Sequence, residues 1–360
     1  MKNPKKILVI IQRSNGDVFL STALIKSLFN FYNNPQIDLL VNDDTFSVAK
    51  LLPNIAQIHQ FSYFKKKNSR WTQEKKLLSG IFRKYDLSIN LTSSDRSVFY
   101  ACIASNYSIS AIEKNQVKSW WKKFLLSKYY FFDTTRHILL NNLEPLNILN
   151  INHQRTQESI SISKSTIDIV KNKLLQKGIN SFIIFHPSAQ YEYKIYPEKL
   201  RNELLADLNT LGIPIIVSGS NNVIDLAIKN TLPRLENIID WIGETSIEEY
   251  FSLSELSLAY IGMDTLNMHI AAAQDKPIFA IFGPTNLKMW APWSNDLKSS
   301  ASIDMPVQKY SNITIFQADI PCVACGYSGC NNNGVKSDCL DKISPKLIFN
   351  KFKEWLDSQN

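Results

Sequence analysis

"LSLAYIGMDTLNMHIAAAQDKPIFAIFGPT" (Leu256–Thr285) sets two short apolar runs, "LSLAYIG" and "KPIFAIFG", around an alanine-rich stretch. Runs of this length bounded by turn residues read as buried strands, and the stretch between them reads as a helix entered at "MDTLN". Strand, helix and strand in thirty residues make a βαβ unit of a parallel sheet. A helix N-terminus placed after a strand presents unpaired N–H groups and the positive end of its dipole, a ready anion site. Thr265 adds a hydroxyl donor there. Asp264 suits an anion site only if it caps the helix or accepts hydrogen bonds from ligand hydroxyls. His269, one turn on, reads equally as a core histidine or as a ligand contact.

The same alternation extends outward from this unit. "KILVII", "QIDLLVN" and "YDLSINL" read as strands of the first half, with "STALIKSLFNFY" as a helix. "SFIIFHP", "IPIIVSG" and "ENIIDWIG" are strands of the second half, with "PEKLRNELLADLNTLG" and "SIEEYFSLSELS" as helices. Buried strands separated by helices define an α/β fold of two doubly wound, parallel-sheet domains, and ligands of such sheets bind outside the carboxyl ends of the strands. The expected division is 1–165 and 166–360, the polar run "NINHQRTQESISISK" leading into the boundary.

With 360 residues and 44% hydrophobic content, the chain can bury a large core. No run reaches the roughly 18–20 apolar residues of a bilayer span, and the short apolar run after the N-terminal lysines lacks a signal-peptide cleavage pattern, so a cytoplasmic location is expected. The net charge of +8 is unevenly spread: residues 1–150 hold 21 Lys/Arg against 10 Asp/Glu, and the remainder 19 against 22. The basic half predicts an anionic partner. "FSYFKKKNSRW" (61–71) and "EKNQVKSWWKKFLLSKYYFF" (113–132) supply much of that charge with aromatics interleaved. Such stretches suit an anionic membrane surface, or pack as amphipathic helices; with no nucleic-acid-binding signature, nucleic acid is not expected as a partner.

Candidate groups fall just after predicted strands. "RSNGD" places Gly16 and Asp17 at the opening of the first helix, where the carboxylate either caps the helix or takes a proton from a substrate hydroxyl. "HPSAQYEYKIYP" offers Ser188 for hydrogen bonding and Lys194 as a point charge for a phosphate. "FGPT" repeats the arrangement with Gly283 after the next strand. Cys322, Cys325, Cys330 and Cys339 lie in "PCVACGYSGCNNNGVKSDCL", whose spacing suits a structural zinc or iron site, with free thiols or disulfides as the other readings. Cys102 stands alone in an apolar context and is expected in the core.

The order G-D near the N-terminus, "HPSA…YK.YP", "SGS", "GMDTLNMHIAAA" and "IFGPTNLKMWAPW" resembles the ADP-heptose:lipopolysaccharide heptosyltransferases, glycosyltransferase family 9. The resemblance covers nearly the whole chain. It implies a GT-B fold, two Rossmann-like domains facing a cleft, and metal-independent, inverting transfer of heptose or a related sugar from an ADP-sugar to a lipopolysaccharide or lipooligosaccharide inner core. It implies Asp17 as the general base. For the donor it implies Ser188, Lys194, Gly219, Asp264, Thr265, His269 and Gly283; for an anionic, lipid-anchored acceptor, Gly16, Lys65, Arg70, Lys118 and Arg136. No cofactor is implied for catalysis, and the enzyme is expected at the inner face of the inner membrane as a peripheral protein. One branch of the family heptosylates autotransporter proteins and binds iron through a cysteine group, so a protein acceptor is an alternative, as is a non-catalytic sugar-nucleotide-binding protein. Leu266 and Asn267 depart from the glycine and small residue that usually follow the Asp-Thr pair.

Overall fold

The computed structural model describes residues 3–65, 67–153 and 155–359, without the side chains of residues 67, 68, 116 and 118. The chain divides into two compact units, Met1–Ile160 and Ser161–Asn360.

The first unit holds a six-stranded sheet of β1 (Lys6–Ile11), β2 (Gln36–Asn42), β3 (Ile55–Phe61), β4 (Leu87–Asn90), β5 (Ser108–Ile112) and β6 (Lys128–Phe131). Their order is β3-β2-β1-β4-β5-β6, parallel throughout. Ile7 pairs with Ile37 on one side and Leu87 on the other, so β1 is central, and Ile7–Ile11 are essentially fully buried. This explains the unbroken apolar run: a parallel strand covered on both faces has no polar side to show. Each such side chain contributes about 1.5–3 kcal/mol of burial free energy. β3 lies at one edge and is largely accessible, which is why "IAQIHQF" carries no clear strand pattern.

The second unit is built on β7 (Ile183–His186), β8 (Ile215–Gly219), β9 (Ile238–Ile242), β10 (Tyr260–Met263), β11 (Ile278–Ile281), β12 (Val307–Tyr310) and β13 (Ile313–Phe316), ordered β12-β13-β11-β10-β7-β8-β9. Here the purely parallel expectation is corrected at one edge. β12 pairs antiparallel with β13 through a two-residue turn at Ser311-Asn312, with Ser311 at φ 49°. A tight hairpin reverses the chain, so β12 closes the sheet without a crossover helix.

Both sheets reverse their winding once, between β1 and β4 in the first and between β7 and β10 in the second. Loops at the carboxyl ends of the two strands flanking such a reversal diverge to opposite faces and leave a crevice for ligand. At the second reversal the strands approach closely. A Cβ on Gly262 of β10 would lie 2.3 Å from the carbonyl oxygen of His186 on β7, so only glycine fits.

Candidate active site

At the carboxyl end of β1 the chain enters the short helix Asn15–Phe19, and Asp17 lies in its first turn, 4% exposed. Ser14 donates to Asp17 Oδ2 from both its hydroxyl (2.7 Å) and its backbone N–H (3.3 Å). Arg13 Nε reaches Oδ1 at 2.8 Å. Asp17 therefore ties the helix start together and is also a carboxylate held by two hydrogen bonds and an ion pair. Gly16 sits within that helix, its carbonyl accepting from Leu20 N–H at 2.9 Å.

Arg13 links this corner to the end of β6. Its guanidinium carbon stands 4.7 Å from the Phe132 ring centroid, and both Arg13 and Arg136 act electrostatically on the buried Tyr130. Arg136 pairs with Glu144 at 2.8 Å. Lys65 and Arg70 follow β3, which lies two strands from β1 in the sheet. Arg70 donates to the Lys65 carbonyl at 2.8 Å and to the Tyr63 carbonyl, which makes it a brace for its own loop. Lys118 belongs to the helix Gln116–Leu125, but its side chain lies outside the described residues.

Three further polar groups at this edge were not singled out from sequence. Arg13 is the direct partner of Asp17. Gln12 is buried, and its side-chain amide has no hydrogen-bond partner. Arg96, at the start of the helix after β4, stacks 4.5 Å from the Phe61 centroid and 5.4 Å from that of Tyr63. Gln12 and Arg13 flank "SNGD" directly, and that adjacency to a strand end was the available signal.

In the second unit, the winding reversal gathers several predicted groups. Lys194, in a short turn after β7, places Nζ 3.4 Å from Oδ2 of Asp264, which follows β10. His269 lies beneath them, buried; desolvation pushes its imidazole down to about 4, with Asp264 acting to raise it and Lys194 to lower it. His269 is therefore neutral near pH 7. Thr265 is the N-cap residue of the helix Leu266–Ala273, yet its side chain caps none of that helix's N–H groups. Asp264 is not the cap either: its carboxylate turns to Lys194. That leaves the first-turn N–H groups of this helix directed at the strand-end crevice, with a cation, an acid and a hydroxyl beside them.

Ser188 and Gly219 meet at a different centre. The Ser188 hydroxyl and the Ser220 N–H both donate to the buried Asp225 carboxylate, and Gly219 packs against Asp225 Cβ and Ile242. The Ser188 hydroxyl is thus engaged within the fold. Gly283 follows β11 and faces the Leu340 side chain, where a Cβ would come within 3.1 Å. The Leu266-Asn267 departure also finds a structural place. Asn267 Nδ2 lies 3.0 Å from Nδ1 of His186, whose buried imidazole is pushed down to about 4, mainly by desolvation. The same Nδ1 lies 3.1 Å from both the carbonyl oxygen and the hydroxyl of Ser218, so Asn267 and Ser218 together hold the imidazole where the helix start meets the end of β7.

The metal expected at the cysteine group finds no support among the described residues. Cys322 and Cys325 are exposed, Cys330 is half-buried with its Sγ accepting from Asp338 N–H at 3.3 Å, and Cys339 is buried in the core beside Leu340 and Ile343. All four are free thiols, and among the described residues no three His, Cys, Asp or Glu side chains gather to hold a metal. Burial first, and then the other three sulfurs, push the Cys339 thiol up to about 11. Cys339 packs into the core, and no group among the described residues supports the expected zinc or iron. Cys102 packs half-buried against Val98, Ile112 and Leu126.

Two Rossmann-like units in one chain, the second with a cation and an open helix N-terminus at its winding reversal, are the architecture of a GT-B glycosyltransferase. Residues 75–315 match the family model described as glycosyltransferase family 9 (heptosyltransferase), and the chain belongs to that family. It is similar to lipopolysaccharide heptosyltransferase 3 of Escherichia coli strain K12, 26% identical over 294 residues that cover 79% of this chain and 84% of the relative. Among solved structures, it superposes on a family 9 glycosyltransferase from Veillonella parvula with a TM-score of 0.75 at 18% identity, covering 98% and 97% of the two chains. It superposes on E. coli ADP-heptose lipopolysaccharide heptosyltransferase II with a TM-score of 0.71 at 17% identity, covering 98% and 99%. These structural likenesses bear on the fold.

Proposed function

We propose that this glycosyltransferase moves a heptose from ADP-heptose to a sugar hydroxyl of a lipopolysaccharide or lipooligosaccharide inner core, with inversion at the anomeric carbon. The observation that carries the reading is the cluster of Lys194, Asp264 and His269 around the open N-terminus of the helix Leu266–Ala273. The names of the relatives support the sugar, the nucleotide and the class of acceptor.

In this reading the diphosphate lies against the helix N-terminus and draws Lys194 to itself, where the dipole and the ammonium stabilise the charge that gathers on departing ADP. Asp264 turns to the hydroxyls of the sugar, and Thr265 donates to the diphosphate. Neutral His269 near the pair adds no second positive charge to the site. Asp17 is the base: it takes the proton of the acceptor hydroxyl as that oxygen bonds to the anomeric carbon and the bond from that carbon to the phosphate oxygen breaks. Arg13 and Ser14 fix the carboxylate for this transfer, and Gln12, Arg96 and Arg136 line the same strand-end edge for an anionic acceptor. The acceptor is membrane-borne, and the charged donor restricts the reaction to the cytoplasmic face.

Titrating the protein with ADP-heptose, GDP-mannose and UDP-glucose tests the donor. Selective stabilisation by ADP-heptose, about 2.7 kcal/mol at a hundred times its Kd, is expected. Equal stabilisation by all three, or none by ADP-heptose, contradicts the reading.

A further inference from the structure

We infer that the helix Gln116–Leu125 and the edge strand β6 form the face by which this protein lies on an anionic lipid bilayer. The inference names the surface where the membrane-borne acceptor proposed above is met, and it rests on that reading only for its purpose.

The helix has two faces of opposite character. Its inner side is already anchored: Ser119 donates to the Glu113 carbonyl, and the fully buried Lys122 reaches Glu113 and Asp95 at 2.7 and 2.8 Å and the Ser93 carbonyl at 2.7 Å. Trp121 packs against Val98, Ile112 and Leu126. The outer side, which the core does not use, carries Val117, Trp120 and Phe124 at helical spacing, exposed by 82%, 62% and 83%. Exposed apolar side chains in one contiguous row mark a surface that is covered in use.

β6 continues that row. It is the outermost strand of its sheet and turns Tyr129 and Phe131 outward, while Lys123 bridges the two elements with its ammonium 5.8 and 5.4 Å from the two ring centroids. Lys114 and Lys128, both exposed, flank the row. The nearby carboxylates are paired: Glu113 and Asp95 with Lys122, and Asp133 with Thr135 and, at 3.8 Å, with Lys114. Outside these pairs the row is aromatic, with Lys123 and Lys128 as its cations.

That chemistry selects the occupant. Protein interfaces favour aromatics and arginine but are depleted in lysine, and a second copy would set the same lysines against each other. An amphipathic helix with tryptophan and phenylalanine on one side and lysine at its margin matches the boundary between headgroups and acyl chains of an anionic bilayer. No described helix is long and apolar enough to cross a membrane, so the contact is one of lying on it. The hold of Lys122 on Ser93, at the end of β4, sets this face beside the loops of the proposed acceptor edge.

The test is flotation of the full chain with vesicles of phosphatidylcholine alone or with 40% phosphatidylglycerol, on the order of the anionic content that attracts polybasic surfaces. Binding to the anionic vesicles only, weakened by added salt, is expected. The double variant Trp120→Ser, Phe124→Ser should lose at least tenfold of it, and Lys123→Gln, Lys128→Gln should lose the salt-dependent part, with unchanged far-ultraviolet dichroism and unchanged ADP-heptose binding. Failure of the wild type to bind anionic vesicles, equal binding of the variants, or a concentration-dependent dimer abolished by Trp120→Ser, Phe124→Ser in place of vesicle binding would each overturn the inference. Vesicle binding without any response to ADP-heptose would instead count against the donor reading alone.

Discussion

The carboxyl edge of β10 and the carboxyl edge of β1 each place one acid at a winding reversal, and the two acids are held in different ways. Asp264 faces a single cation, Lys194, at 3.4 Å, beside a helix whose first N–H groups no side chain caps. Asp17 is gripped by Arg13 and twice by Ser14, all within 3.3 Å, at the start of a five-residue helix. The second edge can exchange partners when a diphosphate arrives; the first is already set in one direction. This is what transfer asks of each half: a leaving group must be received as charge builds, whereas a base works best when its carboxylate does not reorient.

The largest expected effect breaks the fixed half. Asp17→Ala should lower the transfer rate by roughly 10²- to 10⁴-fold, the usual worth of a positioned base, while ADP-heptose affinity stays within a few-fold. Near wild-type transfer, measured by ADP release, would remove Asp17 as base and leave it a helix-start residue. Lys194→Ala strikes the exchangeable half and should cost about 10²- to 10³-fold in kcat/KM, as removal of one group that stabilises a developing negative charge does. It should weaken donor binding as well, a loss Asp17→Ala does not share; calorimetry with ADP separates the two.

Smaller effects sharpen the contrast through stability. Gly262→Ala forces a Cβ into the His186 carbonyl and should destabilise the second unit by about 1–3 kcal/mol, seen as a lower midpoint in urea. An unchanged midpoint would mean that β7 and β10 are not held that close.

The pH dependence follows from His186 and His269, both pushed down to about 4 by burial. Between pH 6.5 and 4 the unfolded chain binds protons that these folded imidazoles refuse. Their contribution is therefore complete above pH 6.5 and lost as the pH falls to about 4, at roughly 1.4 kcal/mol per pH unit for each. His59 in the first unit is shifted in the same direction but is only half-buried, so hydrogen exchange should show the second unit loosening first. Exchange that accelerates first in the first unit would contradict this ordering.

The same difference explains what could be read from the sequence. β1, β2, β10 and β11 are buried runs that can only be strands, and the groups after β10 follow one another in a single stretch, so the strand end and helix start there were legible from the sequence. β3 and β6, accessible edge strands, and the buried but polar "SISAI" of β5 lack the apolar pattern that betrays a central strand. Pairings across the chain were not legible either. Nothing local says that Arg70 braces its own loop, that Ser188 serves Asp225, or that Asn267 fastens His186. The cysteines show what spacing leaves open: four thiols fall within eighteen residues, one packed into the core and two in solvent, and no metal-holding group is found among the described residues.

The most direct test of the central claim is single-turnover transfer from ADP-heptose to a lipopolysaccharide acceptor truncated before its heptoses, and to acceptors carrying one or two of them. The account predicts stoichiometric ADP release, heptose joined to one of these acceptors with inverted anomeric configuration, and loss of product in Asp17→Ala with donor binding intact. Retained configuration, or no transfer to any of the three by a protein that binds ADP-heptose, would contradict it.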